Sequence, residues 1–216
     1  WVLCENTRFC KRNMPCRAKW IFLMKMLTDN RRYDGEADVF SLDYEGRGVA
    51  RVDGKALFIE GAMPGERVRF EIIRSKKQFD EARVIDIIRY SENRVKPKCR
   101  HFDTCGGCSI QHIDPTAQIA FKQRIMEEQL ERIGKIRPEQ ILPAIYGTPW
   151  HYRDRARLSI SKDAGGRLKI GFKAKKSHEV IDVDSCMVLP AHISEKLPKI
   201  KQMLQSLIDL DLLFIE

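Results

Sequence analysis

Residues 49–72 read VARVDGKALFIEGAMPGERVRFEI, and this stretch decides the fold of the front of the chain. Val49–Val52 and Ala56–Ile59 flank Asp53-Gly54, a two-residue hairpin signal because both central positions tolerate positive φ. Pro64-Gly65 makes the next turn. Val68, Phe70 and Ile72 then alternate with Arg67, Arg69 and Glu71, the pattern of a half-buried strand. Upstream, Val39-Phe40 and Leu42 open a strand, and Gly46 and Gly48 punctuate Tyr44–Val49; downstream, Ala82–Ile88 supplies a fifth. Five short strands predict a small OB-like five-stranded β-barrel over residues 38–90, whose closure removes exposed edges. Between Arg31 and Arg89 there are 12 basic and 12 acidic residues, so an RNA role for this unit rests on local placement of charge.

Beyond the barrel the pattern turns mixed, so the fold class is α+β with a second domain over residues 91–216. Asp114-Pro115 reads as an N-cap followed by proline at the first helical position, and Gly134 as the stop. Ile119, Met126, Leu130 and Ile133 mark the expected core face of that helix. Leu158-Ser159-Ile160 alternates, Ala164-Gly165-Gly166 turns, and Leu168–Phe172 returns, followed by a short strand at Val180–Val183. Ile193–Leu213 reads as helical, interrupted at Pro198.

The 216 residues are 43% hydrophobic and 32% charged, enough to build cores and too apolar for global disorder. No apolar run approaches the ~20 residues of a membrane span, and Trp20–Met24 is too short for a secretory signal, so a cytoplasmic protein is expected. The net charge of +9 favours an anionic partner, nucleic acid ahead of a membrane surface. Residues 1–37 form no convincing element and read as a disordered or non-native leader, with Met24 or Met26 as a plausible start. Its regular Cys4, Cys10 and Cys16 could form a metal half-site, but no structured segment surrounds them.

The strongest chemical signal is Cys99-x5-Cys105-Gly-Gly-Cys108, completed by Cys186 after 77 intervening residues. Seven cysteines without a signal peptide argue against a disulfide framework. Four thiolates suit either a tetrahedral zinc or a cubane iron–sulfur cluster, and Gly106-Gly107 lets the backbone wrap the group. His101 and His112 flank the cluster and read as neighbours in preference to ligands. A second signal lies between His151 and His178, where nine basic residues face two aspartates. In a strand, Arg153, Arg155 and Arg157 would share one face and could follow a phosphate backbone. Lys169 and Lys173 extend the row, and Trp150, Tyr152 and Phe172 are aromatics able to stack on unpaired bases. There is no G-x-G-x-x-G after a strand, no P-loop and no H-E-x-x-H, and hence no nucleotide pocket or catalytic residue to name.

These stretches resemble a known family. Cys99-x5-Cys105-Gly-Gly-Cys108-Ser-Ile-Gln111-His112, Tyr152–Leu158, Gly171-Phe172-Lys173 and Val180–Leu189 resemble motifs of the RumA/RlmD-type 23S rRNA (uracil-5-)-methyltransferases. Gly46–Glu66 is similar to their TRAM domain. The resemblance implies a [4Fe–4S] cluster on Cys99, Cys105, Cys108 and Cys186, 23S rRNA as partner, and a monomer. It also implies methyl transfer from S-adenosylmethionine to uracil C5, activated by a cysteine thiolate adding to C6 of a flipped base. By the resemblance, those catalytic and cofactor groups belong to a C-terminal doubly wound domain expected to be missing here, so S-adenosylmethionine is implied for the full-length enzyme only. The start at Trp1 and the end at Glu216 therefore read as a truncated front portion. The alternatives are a stand-alone iron–sulfur RNA-binding protein, or a tRNA or other rRNA uracil-5-methyltransferase. The barrel and cluster motif together favour the 23S group, because the tRNA branch generally lacks both.

Overall fold

A computed structural model describes residues 33–210, so the leader reading for residues 1–32 and the thiols of Cys4, Cys10 and Cys16 lie outside the described residues. The front of the described chain is one sheet of β1 (Gly35–Asp38), β2 (Ser41–Leu42), β3 (Gly48–Val52), β4 (Lys55–Glu60), β5 (Arg67–Ser75) and β6 (Phe79–Arg89). Their order is β1-β5-β6-β4-β3-β2, with β4 and β6 parallel and every other pair antiparallel. Six strands replace the expected five because the opening strand is bent into two and begins at Gly35, ahead of the expected Asp38. At the bend, Val39 N–H donates to Glu66 O on the β5 side, and Phe40 N–H donates to Val49 O on the β3 side. The bent stretch thus joins the two edges of the sheet and leaves neither open.

The hairpin signals hold. Val52 pairs with Lys55 across Asp53 and Gly54, both at positive φ (49° and 81°), and Gly65 turns at φ 87°. Inward positions Ala50, Leu57, Ile59, Val68, Phe70 and Ala82 form the core. Burial of a ring such as that of Phe70 stabilises by about 1.5–3 kcal/mol. Outward, Arg67 and Arg69 pair with Glu36, Asp38 and Asp86, which accounts for the even charge balance of this unit.

A second core ties the sheet to the helix beyond it. Leu42 and Met63 pack with Ile113 and Ala117, joined by Ile110, Phe121 and Ile125. Asp114 caps α1 (Pro115–Arg132) by accepting from Thr116 N–H at 2.9 Å. The helix packs through Ala117, Phe121 and Ile125, one residue every turn, and this corrects the expected face: Met126 and Ile133 are exposed. Beside this core, Glu66 is fully buried, accepts from Met63 N–H at 3.1 Å, and meets Arg94 in a fork at 2.5 and 2.9 Å.

The rest is a three-stranded antiparallel sheet of β7 (Ser159–Lys162), β8 (Leu168–Lys173) and β9 (Val180–Asp182), followed by α2 (Ala191–Ser194) and α3 (Leu197–Asp209). The expected interruption near Pro198 is present: the helical segment breaks after Ser194 and restarts at Leu197, with Pro198 in the first turn, where its missing N–H is no loss. Val183, Leu189 and Leu197 form its core, with Leu158, Ile181 and Cys186 packed against them. Residues 152–158 lie outside any strand, so the expected strand through Arg153, Arg155 and Arg157 does not form. No described helix is long and apolar enough to cross a membrane.

Candidate metal centre and nucleic-acid interface

The cysteine loop is shaped by its own turns and pinned to β8. Phe102 N–H donates to Cys99 O, and Cys105 N–H donates to His101 O at 2.7 Å, so the chain coils between the first two cysteines. Gly106 N–H then donates to Lys173 O, and Lys175 N–H donates to Thr104 O, each at 2.9 Å. A side chain at Gly106 would bring its Cβ within 2.9 Å of Lys173 O, so the close docking of loop on strand requires glycine. From the other side, Cys186 N–H donates to the buried hydroxyl of Ser194 at 2.8 Å.

Cys99, Cys105, Cys108 and Cys186 thereby line one cavity, together with His101, Gln111, Arg153 and Phe172. None of the four is in a disulfide. Among the described residues, no three side chains of His, Cys, Asp or Glu converge as ligands of a single ion. Four thiols set round a common, mostly apolar space are the donor type of a zinc or an iron–sulfur site, and the residues present fit either.

The neighbours supply polar contacts to this sulfur-rich space. Gly107 N–H points at Cys105 Sγ at 3.4 Å, and Gln111 Oε1 accepts from Cys99 N–H at 3.3 Å. Burial pushes the Cys105 thiol up, opposed by the Gly107 N–H and reinforced by the neighbouring cysteines. Burial likewise raises Cys108, while Gln111 and the Arg153 charge pull it down.

The basic row is divided. Arg153 turns inward and donates to Gly107 O at 3.3 Å, and Phe172 packs beside Gly107, so both sit at the cysteine cavity instead of the expected RNA-facing row. Lys169 pairs with Glu179 at 3.7 Å, and Lys173 lies 3.4 Å from His178 Nδ1. Lys176 reaches Glu60 of β4 at 2.6 Å. Arg155 and Arg157 are exposed and make no ion pair with the described residues. Tyr152 is exposed, and Trp150 carries the Lys98 ammonium 5.2 Å from its ring centre. The inward turn of Arg153 had no signal in the alternating sequence, because the pattern reads alike in strand and loop.

His112 does not line the cysteine cavity. It is buried 5.6 Å from the Phe102 ring centre, and neither ring nitrogen has a hydrogen-bond partner. Burial first, then the charges of Arg94 and Lys175, push its pKa down to about 4; the Ala62 backbone opposes this weakly. The ring is neutral in the fold and takes up a proton on unfolding below its ordinary value of 6.5. Stability should therefore fall as the pH drops from 6.5 towards 4, by about 3 kcal/mol at most. Urea melts of His112→Leu should lose most of that slope; an identical slope in both proteins would remove His112 as its source.

Residues 35–85 match the TRAM domain family. The chain is 60% identical over 171 residues to the 23S rRNA (uracil(1939)-C(5))-methyltransferase RlmD of Neisseria lactamica, covering 79% of this chain and 38% of that protein. It is 50% identical over 172 residues to the RlmD of an Azoarcus species, covering 79% and 40%. The chain thus spans about two fifths of the length of these curated relatives, and the resemblance read from its motifs is a resemblance to RlmD in particular. A solved structure, the Pyrococcus abyssi tRNA (uracil-54, C5)-methyltransferase with S-adenosyl-L-homocysteine, superposes with a TM-score of 0.56 at 25% identity, covering 79% of this chain and 37% of that one. That match corrects one expectation: a tRNA enzyme shares this architecture, so the architecture alone does not separate the 23S group from the tRNA branch.

Proposed function

We propose that this chain is the RNA-gripping portion of a 23S rRNA uracil-C5-methyltransferase of the RlmD kind, working in the cytoplasm as a monomer. The 60% identity to an RlmD over 171 residues carries the reading. Residues 38–90 form the TRAM barrel and residues 91–216 the cluster-bearing domain. Cys99, Cys105, Cys108 and Cys186 hold a [4Fe–4S] cluster, supported by their shared cavity and by the family resemblance. Bound there, the cluster supplies a rigid tetravalent joint between the Cys99–Cys108 loop and the end of β9. Arg155 and Arg157, exposed and without an ion pair among the described residues, contact the RNA backbone, as does Lys173. Methyl transfer from S-adenosylmethionine is assigned to the part of such enzymes that this chain does not span.

The test uses the chain purified without oxygen and a 23S rRNA fragment holding the target uridine. Iron with equimolar sulfide is expected; zinc alone overturns the cluster. Binding should be tighter to the rRNA fragment than to tRNA; the opposite order overturns the substrate. In Arg155→Ala/Arg157→Ala the slope of log K against log salt should shrink by about 1.4, two phosphate contacts to a single strand. An unchanged slope overturns the assignment of these arginines.

A further inference from the structure

The arginine row of residues 153, 155 and 157 does not act as one row. The backbone at Arg153 and just before it is held against the chain just after Cys186: His151 N–H donates to Met187 O at 3.0 Å, and Arg153 N–H donates to Val188 O at 2.8 Å. From there the Arg153 side chain enters the cysteine cavity and donates to Gly107 O, the carbonyl between Cys105 and Cys108. One residue therefore touches both halves of a ligand set that the sequence separates by 77 residues. It brings the only guanidinium lining the cavity, and four thiolates there need a cation more than an exposed loop does. Arg155 and Arg157, two and four residues on, are exposed.

We propose that Arg153 is a positioning residue of the metal centre: its backbone is tied to the Cys186 side, its guanidinium N–H holds the Gly106-Gly107 loop from the other, and its charge offsets the thiolates. The proposal rests on the cluster reading above. It removes Arg153 from the RNA-facing set and leaves Arg155 and Arg157 in it.

Four thiolates round a doubly positive cubane leave a net charge of minus two, and an added electron makes it minus three. A neighbouring cation favours the reduced form, so losing it lowers the reduction potential. The experiment takes the oxygen-free chain and follows its visible iron–sulfur absorption during dithionite titration and on exposure to air. Arg153→Gln should shift the oxidised-to-reduced ratio about tenfold at the original midpoint, about 59 mV for one electron, and bleach several-fold faster. Its RNA salt slope should stay unchanged. Arg153→Lys keeps the charge without the guanidinium reach to Gly107 O, so its potential should stay near the original while bleaching is still faster. If Arg153→Gln assembles no cluster, Arg153→Lys decides alone: bleaching at the original rate overturns the proposal. So do an unmoved potential and bleaching rate in Arg153→Gln, or a salt slope reduced by one phosphate contact. A wild-type chain holding only zinc overturns the cluster reading itself, which a coloured wild type with indifferent variants does not.

Discussion

Replacing Arg94 with alanine is expected to destabilise the protein by about 3–5 kcal/mol, the cost of leaving a buried charge without its partner. Glu66 is fully buried, and after the change Met63 N–H is the one hydrogen bond its carboxylate keeps. Arg94 supplies two N–H groups to that carboxylate and a third contact, at 2.5 Å, to Gly61 O. These bonds fasten the turn after β4 to the segment that leaves β6, next to the core shared by Leu42, Met63, Ile113 and Ala117. Lysine at position 94 should recover only part of the loss, because an ammonium is not a planar fork. The informative comparison is a double-mutant cycle by urea denaturation. Glu66→Ala/Arg94→Ala should be less destabilised than the sum of the single variants, since each single change strands the other's polar atoms. Strict additivity would mean that the pair is not energetically coupled.

How much of the fold was legible in the sequence depends on how local each signal is. Asp53-Gly54 and Asp114-Pro115 are decided within four residues by backbone preference and a cap, and both stand where expected. The grouping of Cys186 with the Cys99–Cys108 loop was legible through resemblance, because nothing near Cys186 marks it. The bend at Val39-Phe40 was illegible, since it exists to satisfy two different strands, one through Glu66 O and one through Val49 O. The packing face of α1 was misread because Ile119, Met126, Leu130 and Ile133 satisfy helical spacing as well as Ala117, Phe121 and Ile125 do. Which stripe is buried depends on where Leu42 and Met63 lie, a tertiary fact. Arg153 was misplaced for a related reason: alternation implies a shared face only if the segment is a strand, and here residues 187–189 hold it otherwise.

The family-like Gly171-Phe172-Lys173 stretch has a physical cause, and Gly171→Ala is expected to be among the most damaging single changes in the second domain. Gly171 lies in the middle of the sheet, paired with Ser159 on one side and Asp182 on the other. A Cβ there would stand 1.9 Å from Ile181 O and 3.1 Å from Val183 Cγ2. The first obstacle is backbone, so no rotamer relieves it, and β9 must move away from β8. The same approach is held by Asp182, which accepts from Ile170 N–H at 3.1 Å and pairs with Lys201 of α3. Displacing β9 therefore unseats both the helix and Cys186, which lies four residues beyond the strand. A loss of about 4 kcal/mol or more is expected, lowering Tm by about 10 °C or more for a chain of this size. Gly147→Ala is the control, because a Cβ there meets nothing within 4 Å. Iron content after oxygen-free purification should fall with Gly171→Ala and stay level with Gly147→Ala. Equal melting temperatures for the two variants would show that β9 yields at little cost, and that the close approach of these strands is not what holds Cys186 to the loop.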